Sequence, residues 1–420
     1  MNPQTYSEFS AGIHTHYFGK RAPTEATIEV TRRCPLACLH CYNNLPMGDL
    51  EARNRELSTE EHKRLLDELA EVGCLWLLFT GGEIFARKDF LEIYTHAKKK
   101  GFLITLFTNG TMITEKVADY LAEWRPFSIE ITLYGRTRET YEALTAVPGS
   151  YDRCMRGIQN LLDRKLPLKL KTVPTSINKH EVFAMQAFAK DLGLEFKFDP
   201  QINPRIDCSL SPLAVRLTPE EIVALDMHDP QRAVEYTRLI QHDFEAPKSN
   251  IEHSDEVYFC GGGMNSFAVN AYGGMSICVI SQQETYDWRS GSVKEGWEQF
   301  LLKVRTKKQT QLTKCKSCRI QSLCGMCPAN GELENGDQES PVDFLCQAAH
   351  LRAMSLGFEV PAHGECECCA GGIHYAELQE SAIRIQNKQI DVGNWAAPTN
   401  PLHVLQSENA AGGCSSCGSH

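Results

Sequence analysis

The most reactive side chains in this sequence are cysteines, and they are clumped. Cys34, Cys38 and Cys41 fall within eight residues, spaced Cys-x3-Cys-x2-Cys. Three thiolates at that spacing can wrap one face of a four-iron–four-sulfur cluster, whose ligands are cysteine thiolates. Such a cluster has four irons, so one stays open unless a distant cysteine fills it. An open position separates a reactive metal site from a structural one, as zinc sites illustrate. A plain zinc site built from the same three thiols is the alternative reading.

A second group holds seven more: Cys260, Cys278, Cys315, Cys318, Cys324, Cys327 and Cys346. Four of them could make a zinc ribbon. Seven is too many for one four-thiolate site and one short of two. A third group lies toward the end of the chain: Cys366, Cys368 and Cys369 just after His363, then Cys414 and Cys417. It reads as a further metal site, a redox pair, a ligand for an incomplete cluster, or a mobile tail with incidental thiols. Adjacent Cys368 and Cys369 are poorly placed to form a disulfide with each other. Cys74 and Cys154 read as small buried residues, and Cys208 is ambiguous.

Eighteen cysteines in 420 residues would suit a disulfide-rich secreted protein. The opening MNPQTYSEFSAG lacks the basic and apolar regions of a secretory signal. A cytoplasmic protein that binds metal or clusters is therefore expected. The chain carries 43 basic and 53 acidic residues, a net charge of −10, which argues against nucleic acid as a partner. No run of 18 apolar residues exists, so no membrane span is expected.

The elements that must position these cysteines follow from periodicity. Apolar, β-branched runs at 26–31, 75–80, 102–107, 128–133, 168–173 and 195–198 alternate with helical patterns. One helix opens at Ser58, with Glu61 completing a capping box. Others cover 89–100, 115–123, 151–164 and 180–192. Continuous apolar strands alternating with helices imply a parallel β/α architecture. Six units in this length fit a partial barrel better than a closed eight-unit one, which takes ~250 residues. The expected fold is α/β: a partial (β/α)6 TIM-like barrel followed by a small cysteine-rich α+β domain. The expected divisions are an N-terminal extension over 1–25, the barrel over 26–205, a proline-rich bridge over 206–258 and a cluster domain over 259–360. A cysteine-containing tail with one helical stretch over 375–388 follows, over 361–420.

The first cysteine group follows the first strand, at the carboxyl end where such barrels place their chemistry. Cys34-x3-Cys38-x2-Cys41, with His40 before the last cysteine and Tyr42 after it, resembles the signature of the radical S-adenosylmethionine (SAM) enzymes. The resemblance covers residues 26–200. It implies an open iron that binds the amino and carboxylate groups of SAM. It further implies reductive cleavage to methionine and a 5′-deoxyadenosyl radical, which abstracts a substrate hydrogen. Gly81, Gly82 and Glu83, ending the second strand, resemble the family's methionine-amino contact. Asn109 ends the third strand. Thr132 and Tyr134 end the fourth, where the family often has a ribose-binding serine, and Lys171 in the fifth strand is a comparable candidate. Arg205 could pair with a carboxylate or be structural.

The second group resembles the SPASM domain, the cysteine-rich extension of peptide-modifying radical SAM enzymes. Its usual central spacing ends Cys-x3-Cys, whereas this chain has Cys324-x2-Cys327. The resemblance implies a first auxiliary iron–sulfur cluster on Cys260, Cys278 and Cys327. It implies a second on Cys315, Cys318, Cys324 and Cys346. It further implies an oxidoreductase acting on a peptide or protein, often a ribosomally made precursor, by oxidation or cross-linking. A flavodoxin- or ferredoxin-type donor would supply electrons, and any leader-recognition module would be a separate chain. A sulfatase maturase, forming formylglycine, is an alternative. That family has an aspartate directly after the cysteine of Gly-x4-Cys, and here Val279 follows Cys278. A non-enzymatic iron–sulfur or zinc-binding module is the alternative from another class.

Overall fold

The computed structural model describes residues 5–245 and 255–398. Six parallel strands form in chain order: β1 Glu25–Glu29, β2 Trp76–Thr80, β3 Leu103–Thr108, β4 Ser128–Thr132, β5 Leu168–Thr172 and β6 Phe196–Phe198. Their period-two alternation sorts the side chains. Ile28, Phe79, Leu106, Ile129 and Leu168 stand in register across the sheet, buried in the main core. Burying each such side chain stabilises the fold by ~1.5–3 kcal/mol. The alternate positions, Thr27, Leu78, Phe107 and Lys171, face the barrel interior and line a cavity.

The helices between the strands start where their caps dictate. Thr59–Glu71 is capped by Ser58 with Glu61 reaching back, the capping box expected from the sequence. Its Leu65, Leu66 and Leu69 are buried. Phe90–Lys99, Glu115–Glu123, Ser150–Asp163 and Val182–Asp191 fall where the sequence placed helices, within one or two residues. Helices Tyr6–Tyr17, Arg138–Thr145 and Pro230–Glu245 had no sequence counterpart.

The sheet does not stop at β1. Strand β7, Ser266–Val269, from the cysteine-rich region, pairs in parallel with β1 over Glu25↔Ser266 to Ile28↔Val269. Strand β8, Gly274–Ser276, and strand β9, Tyr286–Asp287, follow antiparallel. The order is β9-β8-β7-β1-β2-β3-β4-β5-β6. The cluster region thus begins as a continuation of the barrel sheet, on the side where a closed barrel would bring its last strand to β1.

The bridge is tied to the cluster region by a buried charge. Asp226, on helix Pro219–His228, is fully buried and accepts from Arg232 at 2.7 Å and from Arg352 Nε at 2.7 Å. Arg352 sits on helix Asp343–Ser355, which packs against both Pro219–His228 and Tyr375–Gln386. The tail up to residue 398 is therefore folded onto the body. Cys366, Cys368 and Cys369 are 6%, 1% and 2% exposed, which overturns the mobile-tail reading for these three. Cys414 and Cys417 lie outside the described residues. Among the described residues, no helix is long and apolar enough to cross a membrane.

Candidate active site

The first cysteine group leaves the carboxyl end of β1 in a loop held from several sides. Its return is a two-residue parallel ladder, Arg33–Cys34 against Leu45–Pro46. Arg33 grips the buried Glu56 with both Nε (2.8 Å) and Nη2 (2.9 Å). Glu29, also buried, accepts from Asn43 Nδ2 at 2.6 Å and from the Tyr42 hydroxyl at 3.4 Å. Burial raises the Glu29 carboxyl above the usual range, against Arg32 and these donors. Arg205, after β6, donates to Asn44 Oδ1 at 3.0 Å, to the Asn44 carbonyl at 3.0 Å and to the Cys41 carbonyl at 3.3 Å. It clamps the loop and does not line the cavity.

The loop opens onto a cavity of about 380 Å3, within the usual ~300–1,000 Å3 range of small-molecule sites. Cys34, Cys38, His40, Cys41, Tyr42, Gly81, Gly82, Asn109, Thr132, Tyr134 and Lys171 all line it. The structure thus gathers strand-end residues from five separate units at one place. A second cavity of about 370 Å3, lined by Tyr6, Glu25, Trp76 and Leu103, contains no cysteine.

The thiols fit a cluster better than a single ion. Burial pushes the Cys34 thiol up to about 12, and the Cys38 and Cys41 thiols also rise. Buried thiolates are favourable only beside a cation, and metal coordination deprotonates a thiol outright. Two sets of His and Cys ligand atoms converge within 4.8 Å among the described residues, and Cys34, Cys38 and Cys41 are in neither. A lone zinc ion needs such convergence; a four-iron cluster, with one cysteine per iron, needs the thiols further apart. His40 Nδ1 is buried and has no hydrogen-bond partner, and burial lowers its ring to about 4. Its ring tilts against Tyr134, 5.2 Å between centroids.

The Gly-Gly-Glu turn is built for backbone contact. The Gly82 amide donates to the Thr31 carbonyl at 2.7 Å and the Glu83 amide to the Arg33 carbonyl at 3.0 Å. A Cβ on Gly81, whose φ is +141°, would meet the Thr31 carbonyl oxygen at 2.1 Å. The glycines therefore lock the end of β2 onto the segment leading to Cys34. Glu83 stands behind the cavity wall. Its carboxylate accepts from Thr108 Oγ1 at 2.7 Å and the Asn109 amide at 2.8 Å. Asn109 in turn reaches Cys34 Sγ with Nδ2 at 3.5 Å. Glu83 is thus placed to position the end of β3 rather than to touch a ligand directly.

Burial raises the Glu83 carboxyl from 4.5 to about 7, against those donors. A raised acid contributes stability that is full below the unfolded value and is lost as pH rises through the folded one. Without cofactors, the chain should lose up to about 3 kcal/mol of stability between pH 4.5 and pH 7 from this group, at ~1.36 kcal/mol per unit. Glu83→Gln should flatten that part of a melting-temperature-against-pH curve; an unchanged slope would assign it elsewhere. Lys171 is likewise shifted, lowered to about 8 by burial and held by Glu130 at 3.2 Å.

The remaining cysteines form two neighbourhoods. Cys260 and Cys327 lie close enough to Cys278 to disfavour its ionisation, and Cys260 does the same to Cys327. Val279, next to Cys278, lines the main cavity. Cys315, Cys318, Cys324 and Cys346 surround one small void together with His350 and His363. Cys366 reaches this second neighbourhood, 3.8 Å from Cys346 Sγ, rather than the three-thiol first one. His350 escaped the sequence reading because a lone histidine inside a helix carries no spacing signal. Cys74 and Cys154 are buried as expected; Cys208 is buried with φ +62°.

Residues 28–188 match the family described as the Radical SAM superfamily. An Fe-coproporphyrin III synthase of Methanosarcina barkeri is 37% identical over 169 residues, 40% of this chain and about two fifths (41%) of that protein. An AdoMet-dependent heme synthase of the same organism is 25% identical over 344 residues, 76% of this chain and 96% of that one. A PqqA peptide cyclase of Bradyrhizobium diazoefficiens is 30% identical over 160 residues, 38% of this chain and 41% of that one. Among solved structures, Streptococcus suis SuiB bound to precursor peptide SuiA shares the fold, with TM-score 0.57 at 16% identity, covering 83% of this chain and 82% of SuiB. The three-thiol loop at the end of β1, the cavity beneath it and the matching model agree: residues 28–188 carry a radical SAM domain, which takes SAM and a four-iron–four-sulfur cluster as cofactors.

Proposed function

We propose that this enzyme oxidatively modifies a peptide or protein side chain, with a ribosomally made precursor as the simplest substrate. The observation that carries the proposal is the shared wall of the main cavity. The Cys34 loop, the strand ends and Val279 beside Cys278 all face it. Gln201, another wall residue, is packed against Gly325 between Cys324 and Cys327. A substrate there would lie between the radical-generating loop and the auxiliary cysteines.

In this reading Cys34, Cys38 and Cys41 hold the reactive cluster. Gly81 and Gly82 present backbone to SAM. His40, Tyr42, Asn109, Thr132, Tyr134 and Lys171 line its berth, and Glu83 steadies Asn109. Together the bound cofactors would supply a primary carbon radical that removes a hydrogen atom from the substrate. Cys260, Cys278 and Cys327 would hold one auxiliary cluster with a position left for another ligand. Cys315, Cys318, Cys324 and Cys346 would hold a second. The barrel (26–205), bridge (206–258), cluster domain (259–360) and tail (361–420) are the divisions this reading uses. A flavodoxin- or ferredoxin-type donor, a separate leader-binding chain and a cytoplasmic setting complete it.

Changing Cys260, Cys278 and Cys327 together to alanine should separate the two halves of the chemistry. Iron should fall from about 12 to about 8 per chain. SAM cleavage should persist while modified peptide disappears; retained product would remove that group from the reaction. The direct test co-expresses candidate precursor peptides and weighs them. A loss of two hydrogens that needs Cys34, Cys38 and Cys41 supports the proposal, and unmodified peptides across a full set of candidates count against it. Peptide-modifying relatives support this reading. Tetrapyrrole chemistry is a second reading, favoured by alignment over nearly the whole length of a heme synthase. Incubation with iron-coproporphyrin and SAM, followed by mass spectrometry of the tetrapyrrole, separates the two.

A further inference from the structure

We infer that His350, His363, Cys366 and Cys369 form a closed, mononuclear zinc site that fastens the tail to the cluster region. Their four ligand atoms lie within 4.8 Å of one another. Cys366 Sγ is 3.6 Å from His350 Nε2; Cys369 Sγ is 3.4 Å from His350 Nε2 and 3.4 Å from His363 Nδ1, which also donates to the Pro361 carbonyl at 2.9 Å and would exchange that contact for the ion. Tetrahedral zinc, with bonds of ~2.3 Å to sulfur and ~2.0–2.1 Å to nitrogen, sets neighbouring sulfur and nitrogen ligands ~3.5 Å apart. The observed separations match that geometry.

Three further observations point the same way. His350 Nδ1 donates to the Cys346 carbonyl at 2.9 Å, which leaves Nε2 with its lone pair toward the two thiols. Ligating histidines are usually held this way. Cys366 and Cys369 are spaced Cys-x2-Cys, within the usual spacing for paired zinc thiolates. Cys366, Cys369 and His350 are buried, yet both thiols are free of disulfides.

The site goes beyond the proposed function and touches it only at one boundary. None of its four ligands is needed by Cys315, Cys318, Cys324 and Cys346. The overlapping set of Cys346, His350, Cys366 and Cys368 would take Cys346 away from that cluster. The zinc set leaves it intact, with Cys346 Sγ in contact with Cys366 Sγ at 3.8 Å. With four protein ligands, zinc here would have no open position and would act as a clamp. It would pin the segment before helix Tyr375–Gln386 to helix Asp343–Ser355.

The test uses the full chain, prepared without oxygen and with its iron–sulfur clusters intact. Elemental analysis should find one zinc per chain, and zinc-edge X-ray absorption should give sulfur and imidazole nitrogen in equal number. Cys369→Ser and His363→Ala should lose the zinc while keeping the iron, and Cys368→Ser should keep both. Absence of zinc from the unsubstituted protein after zinc loading, or an all-sulfur shell, would overturn the proposal. So would iron loss in Cys369→Ser, which would make the tail thiols cluster ligands. The absorption spectrum is read on the unsubstituted protein, so a poorly folding variant does not blunt it. Failure of SAM cleavage would leave the zinc count unchanged.

Discussion

Gly82→Ala should lower the rate of SAM cleavage by about 100-fold or more, the scale that a misplacement of about 1 Å reaches in an active site. The reason is steric and local. A Cβ on Gly82 would stand 2.4 Å from the Arg32 carbonyl oxygen and 2.5 Å from that of Arg33. Both obstacles are backbone, so no rotamer change relieves them. Relief has to come from moving the end of β2 away from the segment that leads into Cys34. That movement would also break the amide contacts to Thr31 and Arg33. Gly12→Ala is the control. Gly12 lies in helix Tyr6–Tyr17 with nothing within 4 Å of the added carbon. It should leave the rate unchanged and favour the helix by ~0.5–1 kcal/mol. The measurement is the rate of 5′-deoxyadenosine formation with iron content determined on the same sample. A Gly82→Ala enzyme as fast as the parent would mean the turn is not part of the site's framework.

The sequence made the strands, most helix starts and the placement of the first cysteine loop legible, because each depends on local pattern. The apolar runs and the Ser58 capping box are statements about neighbouring residues, and the structure keeps them. Contacts that join distant positions left no such trace. Nothing local marks Glu56 as the partner of Arg33, or Arg205 as a clamp on Asn44 and Cys41. The Gly-Gly-Glu turn was readable as a backbone approach. Which backbone approaches was not: the glycines meet Thr31–Arg33, and Glu83 faces Thr108 and Asn109. Helix Asp343–Ser355 was missed for a different reason. Residues Ala348 to Ala353 are buried in unbroken succession, so it shows no polar face and no 3.6-residue stripe. That helix carries both Cys346 and His350, and its absence from the sequence reading hid the convergence of the tail cysteines.

The central claim is that Cys34, Cys38 and Cys41 generate the reactive species. They are the thiols that line the main cavity, and Cys34 and Cys38 form a buried cluster against which Cys41 and Tyr134 pack. Alanine at all three positions removes every thiolate the cysteine loop offers to a cluster, while the Glu29–Asn43 and Arg33–Glu56 anchors of the loop remain. The most direct measurement is 5′-deoxyadenosine release from SAM under reducing, oxygen-free conditions. The unsubstituted enzyme should release it together with methionine. The triple variant should release none above background, with iron reduced by about four per chain and the remaining iron retained. Continued 5′-deoxyadenosine formation by a folded triple variant would contradict the account.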